Sequence, residues 1–344
     1  MEYTITGKSS HSYWPVQQIL GADRYTKIAA PSNHQSHYVT GFIATAAAAK
    51  SFYFPRRTCM KFTAANNVVT VADDTALEPT SGDFLLSIWI KTSSHTLVDF
   101  VSKIDGTNGY TLETTAAGLV KVSVGDAGAA IALTGVTPIN DGLWHNIMVV
   151  GDISEKAGLY LYVDNKLDVR ANGTTEDYTG IAPITGGAIA LLLSGTAAKT
   201  FYLSNFALFK GSSWTTAEIT AIRTSLYNKT GSVVIGKKLE GDETDLAVGL
   251  PLDEGTGTVN YDVAGTNDST FANAAFAAGG IPIDPADPND DLGVFGPILV
   301  GTNETAGLYT CTFPHAMKIG CNNPLIVVGD GAITLQIFGE TSFA

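Results

Sequence analysis

The sequence predicts an all-β protein, an antiparallel two-sheet sandwich with one short helix. Three observations carry that prediction. Apolar and polar residues alternate with period two over many short stretches. Turn residues separate these stretches about every 8–15 residues. The chain holds 36 glycines and many threonines, while the helix formers Glu, Lys and Arg are sparse.

The elements follow in order. Residues 1 to about 55 are polar and dotted with aromatics (His11, Tyr13, Trp14, Tyr38), which reads as an irregular N-terminal arm or docking segment. Residues 56–279 carry the sandwich signal. Phe84, Leu86, Ile88 and Ile90 alternate with Leu85, Ser87, Trp89 and Lys91, the pattern of an antiparallel strand. Val120, Val122 and Val124 alternate with Lys121 and Ser123. Trp144–Val150, Leu159–Val163, 188–193 and 200–209 read as further strands, and Trp89 and Trp144 suit a core edge. Asp164-Asn165 accepts positive φ and should turn the chain tightly into Lys166–Val169. Thr215 followed three residues later by Glu218 is a capping box. Ile219, Ile222 and Leu226 then fall on one helical stripe, with Asn228–Gly231 as its stop. Residues 280–297 combine Pro282, Pro285, Pro288 and Pro297 with Asp284, Asp287, Asp290 and Asp291, a stiff acidic linker. Residues 298–344 alternate again and predict a small C-terminal β unit.

Bulk properties exclude several classes. A hydrophobic share of 45% against 15% charged residues excludes disorder. The net charge is −13, and the basic residues form only isolated pairs such as Arg56-Arg57 and Lys237-Lys238. Nucleic acid is therefore not an expected partner. No basic-then-apolar leader opens the sequence, and no run reaches the roughly 18 apolar residues of a membrane helix, so membrane insertion is not expected. Of the 3 cysteines, Cys311 and Cys321 lie within reach of a hairpin pairing and Cys59 stands apart.

The middle block resembles the concanavalin A-like, laminin-G-like jelly-roll family. The segment "MKFTAANNVVTVADDTALEPTSGDFLLSIWIKTSS" is similar to that family's opening strands, with Phe84, Ser87, Trp89 and Lys91 at matching places. "DGLWHNIMVVGD", "LYLYVDNKL", "FYLSNFALFKGSSWTTAEI" and "LAVGLPLDEGTGTVNYDVAG" follow in the family's order. The sequence departs from the pattern at Asn146, where a second His is usual, and at Ser204–Ala207, where an acid and a base are usual. The resemblance implies a two-sheet jelly roll. It also implies calcium held between loop carboxylates and carbonyls, with Asp73, Asp74, Asp99, Asp152 and Asp253 as candidate ligands.

Catalytic sets are missing from the sequence. Glycoside hydrolases place two carboxylates across a cleft. Here Glu113 stands alone on its strand and Glu254 lies in a turn, so an enzyme is not expected. No nucleophile elbow, phosphate loop or HExxH motif appears. His34 and His37 have metal-like spacing but sit in the arm, and His145 reads as a hydrogen-bonded edge histidine. For sugar binding, exposed aromatics are needed, and Tyr110, Tyr178 and Trp214 are the candidates.

The expected function is a non-enzymatic structural, decoration or fibre protein of a bacteriophage virion. It would carry a lectin-like domain, dock on other capsid or tail subunits, form a homo-oligomer such as a trimer, and hold a host surface glycan. The alternative is a carbohydrate-binding lectin module of a bacterial secreted or cell-surface protein.

Overall fold

A computed structural model describes residues 12–13, 17–19, 25–28, 35–45, 50–53, 58–63, 67–79, 82–126, 129–183, 186–192, 200–230, 233–236, 239, 241, 243–253, 258–278, 298–300, 308–319, 325–329 and 333–343. Side chains are described only between residues 59 and 277. The acidic 280–297 segment, Glu254, and the side chains of His34, His37, Cys311 and Cys321 lie outside the described residues.

The chain forms two compact units, one from residues 1–57 and 283–344, the other from 58–253 and 258–282. In the first unit, the N-terminal strands are β1 (Ser12–Tyr13), β2 (Gln17–Ile19), β3 (Tyr25–Ile28), β4 (Gln35–Thr45) and β5 (Lys50–Tyr53).

The second unit begins with β6 (Thr58–Phe62), β7 (Val68–Val71), the 3-10 turn η1 (Thr75–Leu77), β8 (Asp83–Thr92) and β9 (Val98–Asp105). It continues through β10 (Asn108–Thr114), β11 (Leu119–Asp126), β12 (Ala129–Pro138), β13 (Trp144–Gly151), β14 (Leu159–Val163) and β15 (Lys166–Arg170). Then come β16 (Ile189–Leu192), β17 (Phe201–Gly211), helix α1 (Thr216–Leu226), β18 (Tyr227–Thr230) and β19 (Val233–Gly236). It ends with β20 (Leu246–Leu250), β21 (Val259–Asn260), β22 (Ser269–Ala272) and β23 (Ala275–Ala278). Four strands return to the first unit: β24 (Ile298–Val300), β25 (Leu308–Ile319), β26 (Leu325–Gly329) and β27 (Ile333–Phe343).

The second unit is the predicted sandwich. One sheet runs β12-β11-β10-β9-β16-β7-β22-β21. The other runs β15-β14-β13-β8-β17-β6-β23, with β20 also paired to β17. Each strand gives alternate residues to the space between the sheets. Leu86, Ile88, Ile147, Val149, Leu161 and Leu203 come from one side, and Val69, Leu112, Val122, Ile131, Ile189 and Leu191 from the other. All are 5% exposed or less. Phe84–Lys91 and Trp144–Val150 are antiparallel neighbours, and β14 pairs with β13 on the far side. Asp164 and Asn165 take φ of 51° and 60°, the left-handed pair that a tight two-residue hairpin needs.

The helix begins as its sequence dictates. The Thr215 side chain accepts the Glu218 amide, and Glu218 accepts the Thr215 amide in return. Its end differs from expectation. No glycine stops it, because Tyr227 is already extended and α1 runs straight into β18. Burial of the Tyr227 ring against Trp89 fixes that change of direction (centroids 5.7 Å apart, 16° between planes).

In the first unit, strands from both chain ends pair. One sheet orders as β1-β27-β4-β25 with β2 also on β27, and a second as β24-β5-β26-β3. Residues 1 to about 55 are thus not irregular throughout. Stretches such as Gln35–Thr45 mix Tyr, Val, Thr and Ile with polar residues, and β-branched and aromatic content outweighs their polarity once partner strands are present.

Candidate functional site

The sheet that carries β8 and β13 has two faces. One lines the core. The other is divided. At one end, Leu85, Trp89, Met148, Val150 and Phe209 are buried, although they point away from the inter-sheet core. They lie on the face that also carries the Trp89–Tyr227 stack, and Tyr227 directly continues α1.

The other end stays open. Four residues fall side by side in register across neighbouring strands. Trp144 on β13 is opposite Lys91 on β8, Lys91 is opposite Tyr202 on β17, and Tyr202 is opposite Lys61 on β6. Cross-strand partners share a face, and each of the four is half-buried. The row spans three strand spacings, roughly 14 Å. The Lys61 and Lys91 ammonium groups lie 6.0 Å and 5.7 Å from the Tyr202 ring centroid, within cation–π range. Cys59, two residues before Lys61, is fully buried. Burial pushes its thiol up to about 12 against the opposing pull of Lys91 and Lys61, so it stays neutral. Trp144, expected at a core edge, instead lines this outer face.

Next to Trp144 on β13, His145 is held by two carboxylates, Asp141 from the loop before the strand and Asp164 from the hairpin turn. His145 Nδ1 meets Asp164 Oδ2 at 2.8 Å, and Nε2 meets Asp141 Oδ1 at 3.1 Å. Burial draws the imidazole pKa down, but the hydrogen bonds and charges of Asp164 and Asp141 outweigh it and raise it. His145 is an edge histidine with both nitrogens occupied.

The sequence-predicted aromatics fall elsewhere. Tyr110 and Tyr178 belong to the hydrophobic core at 1% and 0% exposure. Tyr110 stacks on Phe84. Trp214 is 7% exposed: its amide donates to Asp83, its indole N–H to Asp245, and Gly211 lies so close that a Cβ there would meet Nε1 at 2.1 Å. None of the three presents a ring face to solvent, so they cannot act as stacking platforms in this conformation. Period-two alternation told which residues share a face, not which face was covered.

The candidate calcium ligands do not come together. Among the described residues, no three His, Cys, Asp or Glu side chains are grouped to hold a metal ion. Asp73 pairs with Lys103 at 3.1 Å. Asp74 caps η1 by accepting the Ala76 amide. Asp99 sits opposite Glu113 on the neighbouring strand. Asp152 accepts the Ser154 amide and hydroxyl, and Asp253 is buried after β20. The Asp73 carboxylate is thus served by a cation of the chain's own. The fully buried Lys103 ammonium also reaches the Gly187 carbonyl and Glu78 at 3.8 Å. This donor set does not fit calcium. Glu113, the one carboxylate on β10, is ion-paired to Lys121 on β11.

Residues 63–220 match the family model of the concanavalin A-like lectin/glucanases superfamily. The match covers β7 to β17, including Lys91, Trp144 and Tyr202. No curated protein sequence matches the chain. Among solved structures, a Bacteroides ovatus protein to which carbohydrate binding is ascribed is 15% identical with a TM-score of 0.45, over 67% of this chain and 62% of that one. The receptor binding domain of botulinum neurotoxin mosaic serotype C/D is 11% identical with a TM-score of 0.39, over 54% and 50%. A botulinum neurotoxin type C structure, described with cell entry dependent on two ganglioside molecules, is 10% identical with a TM-score of 0.37, over 55% of each chain. The chain thus spans less than two thirds of each of these.

Proposed function

We propose that the sandwich is a non-catalytic saccharide-binding module and that its platform is the row Trp144, Lys91, Tyr202, Lys61. The observation that carries this reading is two partly exposed aromatic residues held on one sheet face, one strand apart from each other across Lys91. Sugar rings present apolar C–H faces that stack on aromatics, and their hydroxyls pair with donors at the rim. A lysine on either side of Tyr202 supplies those donors. The roughly 14 Å span suits a short oligosaccharide rather than a single sugar. Non-catalysis rests on the carboxylates: Glu113 is ion-paired, and both Asp83 oxygens accept backbone amides, from Trp214 and Ile153.

The test is titration calorimetry of the full chain against a panel of oligosaccharides, beside Trp144→Ala and Tyr202→Ala. A stacked ring is worth about 1 kcal/mol, so each variant should weaken binding by roughly five-fold or more. Variants that bind as wild type, or release of reducing ends on long incubation, would overturn the reading.

Within that role, the finer assignment is a bacteriophage virion component that assembles as an oligomer and presents this face to a host glycan. Support comes from the Gly- and Thr-rich strands and from the second β unit, which offers surface beyond the lectin-like sandwich. Immunogold labelling of purified particles, with the mass of the chain in solution, tests it. Labelled particles support it. A monomer found only on a bacterial surface would move the module to the alternative setting of a surface or secreted lectin.

A further inference from the structure

The platform reading says that a saccharide binds; the two lysines say what kind. Resting on that reading, we infer that the ligand is an anionic saccharide, with its carboxylate or sulfate received between Lys61 and Lys91 while its ring lies on Tyr202 and Trp144.

Three of the described lysines of this unit are answered by carboxylates, while Lys61, Lys91, Lys166 and Lys210 are not, and Lys210 donates to main-chain carbonyls instead. Lys103 is answered by Asp73 and Glu78, Lys121 by Glu113, and Lys156 by Asp177. Lys61 and Lys91 have no carboxylate partner among the described residues, and both lie over one tyrosine ring. Two like charges held on one ring repel each other, and an anion placed between them relieves that repulsion. The setting makes the pair more telling. The chain carries 33 acidic and 20 basic side chains, so carboxylates to neutralise the two ammonium groups are not scarce. The nearby thiol supplies no charge, since Cys59 is neutral and buried. The overall field of −13 repels anions in general. A positive stripe inside such a field selects anions that also fit its shape, because stacking must add to the charge contact.

The experiment uses the full chain at low salt with four probes: a neutral glucan tetrasaccharide, a uronate tetrasaccharide, a sulfated tetrasaccharide and polyglutamate. At least one acidic sugar should bind about ten-fold tighter than the neutral one, the size of two half-exposed ion pairs. Which acidic sugar wins separates carboxylate from sulfate recognition. Raising salt toward 1 M should erase that preference. Lys61→Gln with Lys91→Gln should remove the ten-fold advantage, so that acidic and neutral sugars bind alike, and leave the melting temperature within a few degrees. Trp144→Ala should weaken both sugar classes. Equal binding of neutral and acidic sugars, or polyglutamate binding as tightly as either acidic sugar, overturns the inference while the platform stands. If no saccharide binds at all, the platform reading itself falls.

Discussion

The two ends of one sheet face make the most instructive comparison in the molecule. Both carry a tryptophan at an outward-facing position, Trp89 on β8 and Trp144 on β13. Trp89 is 1% exposed and stacked on Tyr227. Trp144 remains half-exposed beside Lys91. The strands do not differ in pattern. What differs is the segment after β17, which turns back through α1 and buries Ile219, Leu226 and Tyr227, so that one end becomes a second, smaller core. The uncovered end keeps aromatics and cations at positions where packing does not require them. A sheet face that is half core and half surface separates stability from recognition within a few residues, and substitutions on the two halves should therefore behave differently.

The sharpest break of that comparison is Trp89→Ala. Removing a fully buried tryptophan leaves a cavity and should cost about 3–5 kcal/mol, measured by urea denaturation of the whole chain followed through its sandwich signal. A cost near 1 kcal/mol would mean that the α1 side is loosely packed and that the two ends are alike.

The next effect contrasts paired with unpaired lysines. Lys103 is fully buried with Asp73, Glu78 and the Gly187 carbonyl around its ammonium. Lys103→Met leaves those oxygens without their cation and should cost about 3 kcal/mol, somewhat less than a fully enclosed pair because Asp73 is half-exposed. Lys61→Gln and Lys91→Gln should each cost under about 0.5 kcal/mol by the same measurement. Millimolar calcium should not restore Lys103→Met, since the remaining donors are too few for that ion; restoration would revive the metal reading of Asp73.

A smaller effect belongs to the loop that borders the open end. The His145 pKa is raised in the fold, so its contribution is fully present below its unfolded value near 6.5 and is lost as pH climbs through the folded value. For Asp141, burial pushes upward, but the Leu143 amide and His145 outweigh it and hold its carboxyl below the usual range. Its contribution is present above an unfolded value near 4 and fades as pH falls through the lower folded value. The melting temperature of wild type minus that of His145→Gln should therefore shrink from pH 6 to pH 9. A difference that grows over that range would show that the imidazole is neutral in the fold.

Much of this architecture was legible in the sequence, for local reasons. Phe84–Lys91 and Trp144–Val150 announce strands by alternation and do pair. Asp164-Asn165 announces a turn through its tolerance of positive φ. Thr215 and Glu218 announce a helix start through hydrogen bonds three residues apart. The candidate site was not legible. Its residues are scattered from 61 to 202 and meet only through the register of four strands, which alternation within any one strand does not reveal. Tyr110 and Tyr178 are candidates for a surface role in the sequence because nothing local marks which face of a strand or loop the second sheet will cover. Lys103 could have been suspected from "VDFVSKID", where it follows Val101 at the same parity.

The smallest expected effect closes the comparison from the other side. Trp144→Ala removes as many atoms as Trp89→Ala but from a partly exposed position. Its transfer cost is partial and no closed cavity forms, because solvent fills the space. Stability should change by about 1 kcal/mol or less in the same urea titration, while saccharide affinity falls by roughly five-fold. The pair of numbers discriminates: a large stability loss would make Trp144 a core residue and empty the platform of its first ring. A small stability loss with unchanged affinity would leave the ring exposed for some other reason. Only the combination of an unperturbed fold and a weakened ligand assigns this end of the sheet to recognition.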